Sequence, residues 1–467
     1  MFVGDQRHAR GTSRFSPAMY IADQRVPVHT GTRRFQTCFD PANTSRIKGK
    51  TVRMKISIII PTRERAIFLA KSVRTATDIS DDNIEIVVSD NASRDDTRDV
   101  IAAVDDPRIV YVNTTQRVSM RQNFEFALEK SSGDYVIFFG DDDGILPGQF
   151  HLLREILQSH TPDALSWDFP VYGWPSEGYG SKTGGLRFIG KKCFGPLEQL
   201  DRDAKLKAVA TGRMRDMYPM PSIYHGCMSR EFLDTCATSD GHRFAARSPD
   251  VYMNFRALVR GGRFIHMAHP FSINGYSKAS TGGSLRDVGQ KAKTKQVADT
   301  FLSESSVDPV DDVMPISMSM SLAFLGTFET VRHLFPNEPV ATDYENWFKH
   351  ALTDQSQKTP EVAAQIETSL NHFAAALNAQ DALERARAAG GDSRLKRLQL
   401  NYDRFREKVD SFRLSAELDG ENTILTAARV CDRVLGQDAA SVYSGDLSRA
   451  TAWRNARNRS RDFTRQL

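Results

Sequence analysis

Three consecutive aspartates, Asp141, Asp142 and Asp143, end the apolar run of VIFFGDDDGILPG at 136–148. Like charges side by side repel one another, and a strand has no structural use for them. A neutralising cation supplies a reason. Hard divalent ions such as Mg2+ and Mn2+ favour carboxylate oxygen, often from one or two side chains plus substrate phosphates. The triplet therefore points to a metal that bridges to a diphosphate. The competing reading is a solvated acidic turn between Gly140 and Gly144.

The elements before the triplet must position it. KISIII (55–60) is a continuous β-branched run, as expected for a strand buried on both faces. RAIFLAKSVRTAT (65–77) reads as a helix and IEIVVSD (84–90) as a second buried strand. RDDTRDVIAAV (94–104) reads as a helix with Ser93 as its N-cap, and RIVYVN (108–113) as a third strand. SMRQNFEFALEKSSG (119–133) reads as a helix closed by Gly133, and DYVIFFG (134–140) as a fourth strand. Alternation at this spacing predicts a parallel α/β sheet, whose ligand site lies beyond the carboxyl ends of the strands. Pro61-Thr62-Arg63, Asp90-Asn91 and the aspartate triplet all fall at such ends.

Farther on the pattern is mixed. Residues 147–160 read as a helix, 163–169 as a strand, and the Gly-, Tyr- and Pro-rich stretch 170–200 as a long loop over a site. SIYHGCMS (222–229) reads as a strand. SPDVYMNFRALVRGG (248–262) reads as a helix with Ser248 as cap, Pro249 first and a Gly-Gly end, followed by the strand RFIHM (263–267). After about residue 295 strands vanish. Helices are expected at 359–391, 393–418 and 422–436, and a buried helix within VMPISMSMSLAFLGTF (313–328).

Composition sets outer limits. Of 467 residues, 40% are hydrophobic and 26% charged, as in soluble globular proteins with ample core. Residues 1–53 carry ten Lys/Arg against three Asp/Glu, and a second Arg-rich patch lies at 449–465. Such arms read as flexible, solvated tails before they read as nucleic-acid binders. A leader without periodicity is expected over 1–53, with Met54 a candidate start. Five widely spaced cysteines without a CxxC exclude a disulfide framework or a zinc site as the plain reading. They point to a reducing compartment. No apolar run is long enough to predict a spanning helix, and no secretory signal is evident.

With these stretches in hand, the chain resembles a family 2 glycosyltransferase of the GT-A fold. SIIIPTRER resembles that family's opening strand and VVSDNASRDDT its second strand end. MRQNFEFALEKSSGDYVIFFGDDD resembles its helix and D-x-D strand. SPDVY (248–252) resembles an acceptor-side motif of some members, as does PFSINGYSKASTGGS (270–284). The likeness covers about residues 55–285. It implies a Rossmann-like, mostly parallel sheet flanked by helices, with an all-α C-terminal region. The expected division is a leader at 1–53, a nucleotide-binding half at 54–150, an acceptor half at 151–290, and helices over 291–467.

The resemblance also implies roles. Pro61, Thr62 and Arg65 would line the nucleotide pocket, with Asn91 beside them. Asp90 would bond the base, against a simple Asx-turn reading. Arg121 would reach the diphosphate, against an exposed helix arginine, and Asn123 would pack beneath it. Asp142 is placed near the ribose, and Asp141 and Asp143 toward Mn2+ or Mg2+. Because all three residues are Asp, the assignment within the triplet stays open.

The reaction implied is displacement of a nucleoside diphosphate, in one inverting step. The acceptor hydroxyl then needs a carboxylate base. Asp250 is the choice, at a helix start whose dipole favours its charge; Glu231 and His225 are weaker candidates. Expected partners are a nucleotide-diphosphate sugar and a saccharide, lipid-linked or protein acceptor. No nucleic acid is expected beyond non-specific binding by the basic arm. The expected location is cytoplasmic, with room for peripheral association at the inner membrane face and for a homo-oligomer built through the C-terminal helices.

Three other readings compete. A haloacid dehalogenase-type phosphatase wants Thr or Val where Ile145 stands, and opens on its Asp strand. A sugar-nucleotide pyrophosphorylase wants glycines after the first strand, where PTRERA has none. A non-catalytic sugar-nucleotide binder would keep the pocket and dispense with Asp250.

Overall fold

The fold is that of a computed structural model, which describes residues 54–175, 184–277, 317–389 and 410–463, with Ser303 and Met314 besides. The expected leader at 1–53 lies outside the described residues, as does Cys38.

The β-branched runs form the centre. Strand β1 (Ile56–Thr62) pairs in parallel with β2 (Ile84–Asp90), from Ile56 opposite Ile84 to Thr62 opposite Asp90. Strand β3 (Ile109–Asn113) extends β2, bringing Asn113 level with Asp90. Strand β4 (Tyr135–Phe138) flanks β1 on its other side and runs out into the aspartates. Helices α1 (Ala66–Thr77), α2 (Thr97–Ala102) and α3 (Met120–Glu129) supply the crossovers. Parallel pairing puts every strand end on one edge, which is where the polar clusters stand.

Behind the aspartates come β5 (Gly144–Ile145), α4 (Phe150–His160), β6 (Ala164–Asp168), β7 (Val171–Gly173), β8 (Gly185–Ile189) and β9 (Leu197–Gln199). Helices α5 (Arg202–Ala210) and α6 (Met214–Met217) follow, then β10 (Gly226–Ser229), α7 (Arg230–Thr235) and α8 (Pro249–Arg260). Strands β11 (Phe264–Pro270) and β12 (Ser272–Tyr276) close this part. The main sheet has eight strands in the order β3-β2-β1-β4-β10-β6-β11-β9, with β10 and β9 antiparallel to their neighbours. The mixed α/β architecture expected from the sequence is present.

A second, five-stranded sheet was not expected. Its order is β13-β8-β7-β12-β5, where β13 is Ser411–Ser415. Two readings are corrected by it. The stretch 170–200, expected to be a loop, contains β7 and β8 of this sheet and β9 of the main sheet; its strands are short and lie among glycines, although residues 176–183 are outside the described set. The segment 393–418, expected to be helical, ends in β13, paired antiparallel with β8 from Ser411–Ile189 to Ser415–Gly185; residues 390–409 are outside the described set.

Smaller corrections concern helix ends. Helix α2 starts after Asp96, and Ser93 instead accepts from the Glu64 N–H at 2.8 Å. Helix α3 ends at Glu129, and Gly133 serves a close approach, since a Cβ there would stand 2.5 Å from Ser57 N. Ser248 makes no side-chain cap to α8, and SIYHGCMS becomes strand only from Gly226. The long helix expected at 359–391 is two, Pro360–Ala376 and Gln380–Ala388, divided near Asn378, whose φ is +51°.

The described C-terminal part is otherwise mainly helical. Helices α9 (Met320–Leu334), α10 (Glu345–Gln355), α11 (Pro360–Ala376) and α12 (Gln380–Ala388) pack with α5, α6 and α8 around Leu325, Phe328, Trp347 and Phe373. Leu322, Leu325 and Phe328 bear out the expected buried helix within 313–328, in its described part. A β14–β15 hairpin (Glu417–Leu418 and Glu421–Asn422) precedes α13 (Ile424–Leu435), α14 (Asp438–Ser444) and α15 (Arg449–Arg459). Ile424, Val430 and Val434 of α13 share one core with Ile58, Val73 and Ile145. Among the described residues no helix is long and apolar enough to cross a membrane. Cys193, Cys227, Cys236 and Cys431 are free and buried.

Candidate active site

The chain leaves β4 through Gly140 and places all three aspartates in the interior, none more than 5% exposed. Each carboxylate has its own donors. Asp141 accepts from Thr62 Oγ1 at 2.7 Å and Arg65 Nη1 at 2.9 Å, so β1 and the entry to α1 hold it. Asp142 accepts from Ser277 Oγ at 2.6 Å, while its carbonyl accepts from Trp174 Nε1 at 2.8 Å. Asp143 accepts from Tyr224 Oη at 2.6 Å and Gly275 N at 2.6 Å, and from Gly140 N at 2.9 Å. The close packing of β12 on the loop requires Gly275, where a Cβ would stand 1.7 Å from the Asp142 carbonyl oxygen.

Electrostatics follow from this crowding. Burial, then the charge of Asp143, pushes the Asp142 carboxyl up to about 6, against the pull of Arg65. Burial works against charge on Arg65, but Asp141 and Asp142 outweigh it and raise its pKa. The acidic-turn reading is thereby corrected in one respect: these residues are buried and not solvated.

Among the described residues, no three His, Cys, Asp or Glu side chains converge as they would around an ion. The donor set nevertheless fits a hard divalent cation by chemical type. A carboxylate has about four lone-pair sites, and each oxygen of Asp141 takes one hydrogen bond from the side chains named above. One or two carboxylates completed by substrate phosphates is an ordinary set for such an ion. Asp143 is the more heavily engaged of the two expected ligands.

The second polar cluster is built into the backbone. Asp90, 1% exposed, accepts from Ser93 N at 2.9 Å, Tyr111 Oη at 2.6 Å and Asn113 Nδ2 at 2.8 Å. The Ser93 bond lies three residues on, where an Asx-turn bonds two residues on, so Asp90 holds its own loop while Tyr111 and Asn113 of β3 tether it. Asn91 spends its amide on Val118, donating to the carbonyl at 2.7 Å and accepting from the N–H at 2.9 Å. Arg121 is buried, not exposed, and donates to the Phe244 carbonyl at 3.2 Å. Asn123 lies under β2, bonded to Ser89 Oγ at 2.8 Å. Pro61 and Thr62 stand at the same strand edge as Asp90.

Residues 218–225 and the start of α8 adjoin the triplet through Tyr224. Asp250 is half-buried, and the N–H groups at the start of α8, its own and that of Val251, favour its charged form. Burial outweighs these helix-start amides and raises its pKa, the reverse of the dipole-only expectation. The Asn254 amide, turned to satisfy its neighbours, donates to the Asp250 and Pro221 carbonyls, each at 3.0 Å. Tyr224 and Tyr218 both feel the charge of Asp250. Segment 218–225 therefore runs from Asp250 to Asp143.

His225 is buried at a φ of +48°, with Nε2 3.4 Å from Asp143 Oδ2 and 3.3 Å from Asn274 Nδ2. Its Nδ1 meets Ser272 Oγ at 2.8 Å, and the Phe169 ring covers it with centroids 4.5 Å apart. Glu231 is exposed on α7, past Ser229, which pairs with Tyr135 at the start of β4. It leaves the sheet at the far edge and does not join the site.

Tyr224, Gly275, Ser277, Trp174, Tyr111 and Asn113 escaped the residue-by-residue reading. Tyr111 and Asn113 had a signal, since both lie near the carboxyl end of β3. Gly275 and Ser277 lie inside the 270–284 stretch already singled out.

Residues 57–212 match the sequence profile of glycosyl transferase family 2. The GalNAc(5)-diNAcBac-PP-undecaprenol beta-1,3-glucosyltransferase of Campylobacter jejuni is 35% identical over 104 residues, 22% of this chain and 34% of that protein. The abequosyltransferase RfbV of Salmonella typhimurium is 31% identical over 111 residues, 23% of this chain and 33% of that protein. The chain thus spans about a third of the length of these curated relatives. Among solved structures, S. aureus TarS 1-349 aligns over 72% of this chain and 92% of its own, at 13% identity and a TM-score of 0.40. Over residues 57–212, about a third of its length, the chain is similar to glycosyl transferase family 2.

Proposed function

We propose that the chain transfers a sugar from a nucleotide-diphosphate sugar to an acceptor hydroxyl by one inverting displacement. The observation that carries this reading is the meeting of two walls. The buried Asp141–Asp143 loop and the ends of β1 and β2 form one, and Asp250 the other, joined through Tyr224. Residues 54–150 are assigned the donor and residues 151–290 the acceptor.

Asp141 and Asp143 are the proposed holders of Mn2+ or Mg2+. When bound, such an ion supplies Lewis-acid stabilisation of a diphosphate leaving group. Pro61, Thr62, Asn91 and Asp90 shape the nucleotide pocket, with Asp90 pre-set as an acceptor for a base N–H. Arg65 and Arg121 offer guanidinium groups for the diphosphate, and Asp142 faces the ribose. Asp250 takes the proton of the acceptor hydroxyl. A raised pKa suits that role, because a base works best with a pKa near the operating pH.

The acceptor is a saccharide, alone or on a lipid or protein. Work at a peripheral, cytoplasmic membrane face is consistent with a lipid-linked acceptor. The test is a thermal-shift panel of UDP, GDP, CDP and dTDP sugars, each with and without Mn2+. One nucleotide should raise the melting temperature in an Mn2+-dependent way, and Asp143→Ala should abolish the shift. No metal-dependent shift with any nucleotide would overturn the reading.

A further inference from the structure

On the acceptor side, one side chain near Asp250 stands apart. Tyr218 is 53% exposed, while its neighbours Met217 and Met220 are at most 4% exposed. A single exposed aromatic is unremarkable by itself. Here three further observations bear on it.

The first is place. Segment 218–225 is fastened to the start of α8 through Asn254, which bonds Pro221 and Asp250 at 3.0 Å each. The second is rigidity. Lys205 Nζ donates to the Tyr218 carbonyl at 2.8 Å and the Asp216 carbonyl at 2.9 Å, so the backbone under the ring is held from α5. The third is surroundings. The charge of Asp250 is felt at the Tyr218 phenol and raises it together with burial, so the ring, more than half open, stands within electrostatic reach of that carboxylate.

We infer that Tyr218 is a stacking platform for the ring of a pyranose acceptor, which it holds with one hydroxyl directed at Asp250. One face of a pyranose presents C–H bonds, and the face of an aromatic ring carries negative charge density. Stacking leaves the sugar hydroxyls at the rim, where a base can reach one. A rigid aromatic also loses little conformational freedom on binding, so a small ring contact gives useful affinity. This narrows the acceptor group to a sugar ring, whether free or carried on a lipid or protein. It rests on the assignment of Asp250 as the acceptor-side base.

The test uses methyl pyranosides of the common hexoses and N-acetylhexosamines as probes. Binding is read by saturation-transfer difference NMR on the full chain, with and without UDP and Mn2+, so it does not depend on turnover. At least one glycoside should bind wild type, weaken tenfold or more in Tyr218→Ala, and persist in Tyr218→Trp and Tyr218→Phe. An unchanged melting temperature in Tyr218→Ala shows that the variant is folded. The inference is overturned by equal binding to wild type and Tyr218→Ala, or by no binding to wild type in either condition. A loss in Tyr218→Phe as large as in Tyr218→Ala would also overturn it, since the hydroxyl and not the ring face would then be the contact. Because donor binding is scored separately by thermal shift, failure here leaves the donor reading standing, and failure there leaves this result readable.

Discussion

The two acidic walls of the site hold their carboxylates in opposite ways. Asp141, Asp142 and Asp143 are buried and receive side-chain or backbone donors from β1, the entry to α1, β12, and Tyr224 and Ser277. Asp250 is half-buried, beside the amides that open its own helix, and among the described residues no partner from another element clamps it in the way Thr62 and Arg65 clamp Asp141. The difference teaches what each arrangement can do. A clamped carboxylate keeps its position when a charged ligand arrives, as a metal or diphosphate site requires. A carboxylate with a raised pKa and open surface can take up and release a proton.

Breaking the open wall should have the largest effect. Asp250→Asn is expected to lower turnover by roughly 10²–10⁴-fold, the usual range for loss of a general base. The nucleotide-induced thermal shift should survive, because the clamped wall is intact. Wild-type turnover in this variant would remove Asp250 from the mechanism. The pH profile sharpens the same point. The raised Asp250 pKa places the acidic limb of turnover above the ordinary carboxylate range, with activity rising as pH rises and the base ionises.

Loosening the clamped wall should come next. Tyr224→Phe removes the 2.6 Å hydroxyl donor from Asp143 and leaves the ring. Partners behind a metal ligand typically cost about 10–100-fold in metal affinity when lost. The Mn2+ concentration needed for half of the nucleotide-dependent shift should therefore rise by about that factor. An unchanged requirement would argue that the hydroxyl does not orient Asp143.

A third carboxylate separates clamping from catalysis. Asp432 on α13 lies behind the aspartate loop, accepting from Gly148 N at 2.8 Å and Gln149 Nε2 at 3.3 Å. Burial pushes it up to about 6, despite these donors. Its folded pKa is above the ordinary carboxylate value, so the folded chain holds the proton more tightly. Unfolding free energy should fall as pH rises from the usual carboxylate range through about 6, then level off. The wild type should lose roughly 1–3 kcal/mol across that window relative to Asp432→Asn, by chemical denaturation. A parallel pair of pH curves would show that Asp432 is not strained.

Gly275→Ala should give an effect of similar or smaller size. Its Cβ would fall 1.7 Å from the Asp142 carbonyl oxygen, so β12 or the loop must shift. Overpacking of this kind costs about 1–3 kcal/mol. Equilibrium denaturation measures the loss, and the Mn2+ requirement shows whether the displaced loop is the aspartate loop.

The first hundred described residues were well legible because their signals are local. ISIIIPT and IEIVVSD are β-branched runs buried along nearly all of their length, and helices of ordinary spacing separate them. Strand β13 shows the contrary case. SFRLS is a strand because β8, more than two hundred residues earlier, offers it a partner. Without that partner, an Arg- and Lys-rich stretch before it reads as helix. Glu231 shows the same limit at the site, since its distance from the aspartates follows from the antiparallel sense of β10.

By itself the sequence determined that polar clusters follow buried strands, and that three aspartates follow the fourth. Periodicity, β-branching and chain order suffice for that, since each acts over a few residues. Only the tertiary structure decided which donor takes which carboxylate. Thr62 reaches Asp141 from 79 positions away, Gly275 reaches Asp143 from 132, and Ser277 reaches Asp142 from 135. Pairings at such separation are selected by close packing of two sheets, where a buried charge must find its partners or lose its ionised form.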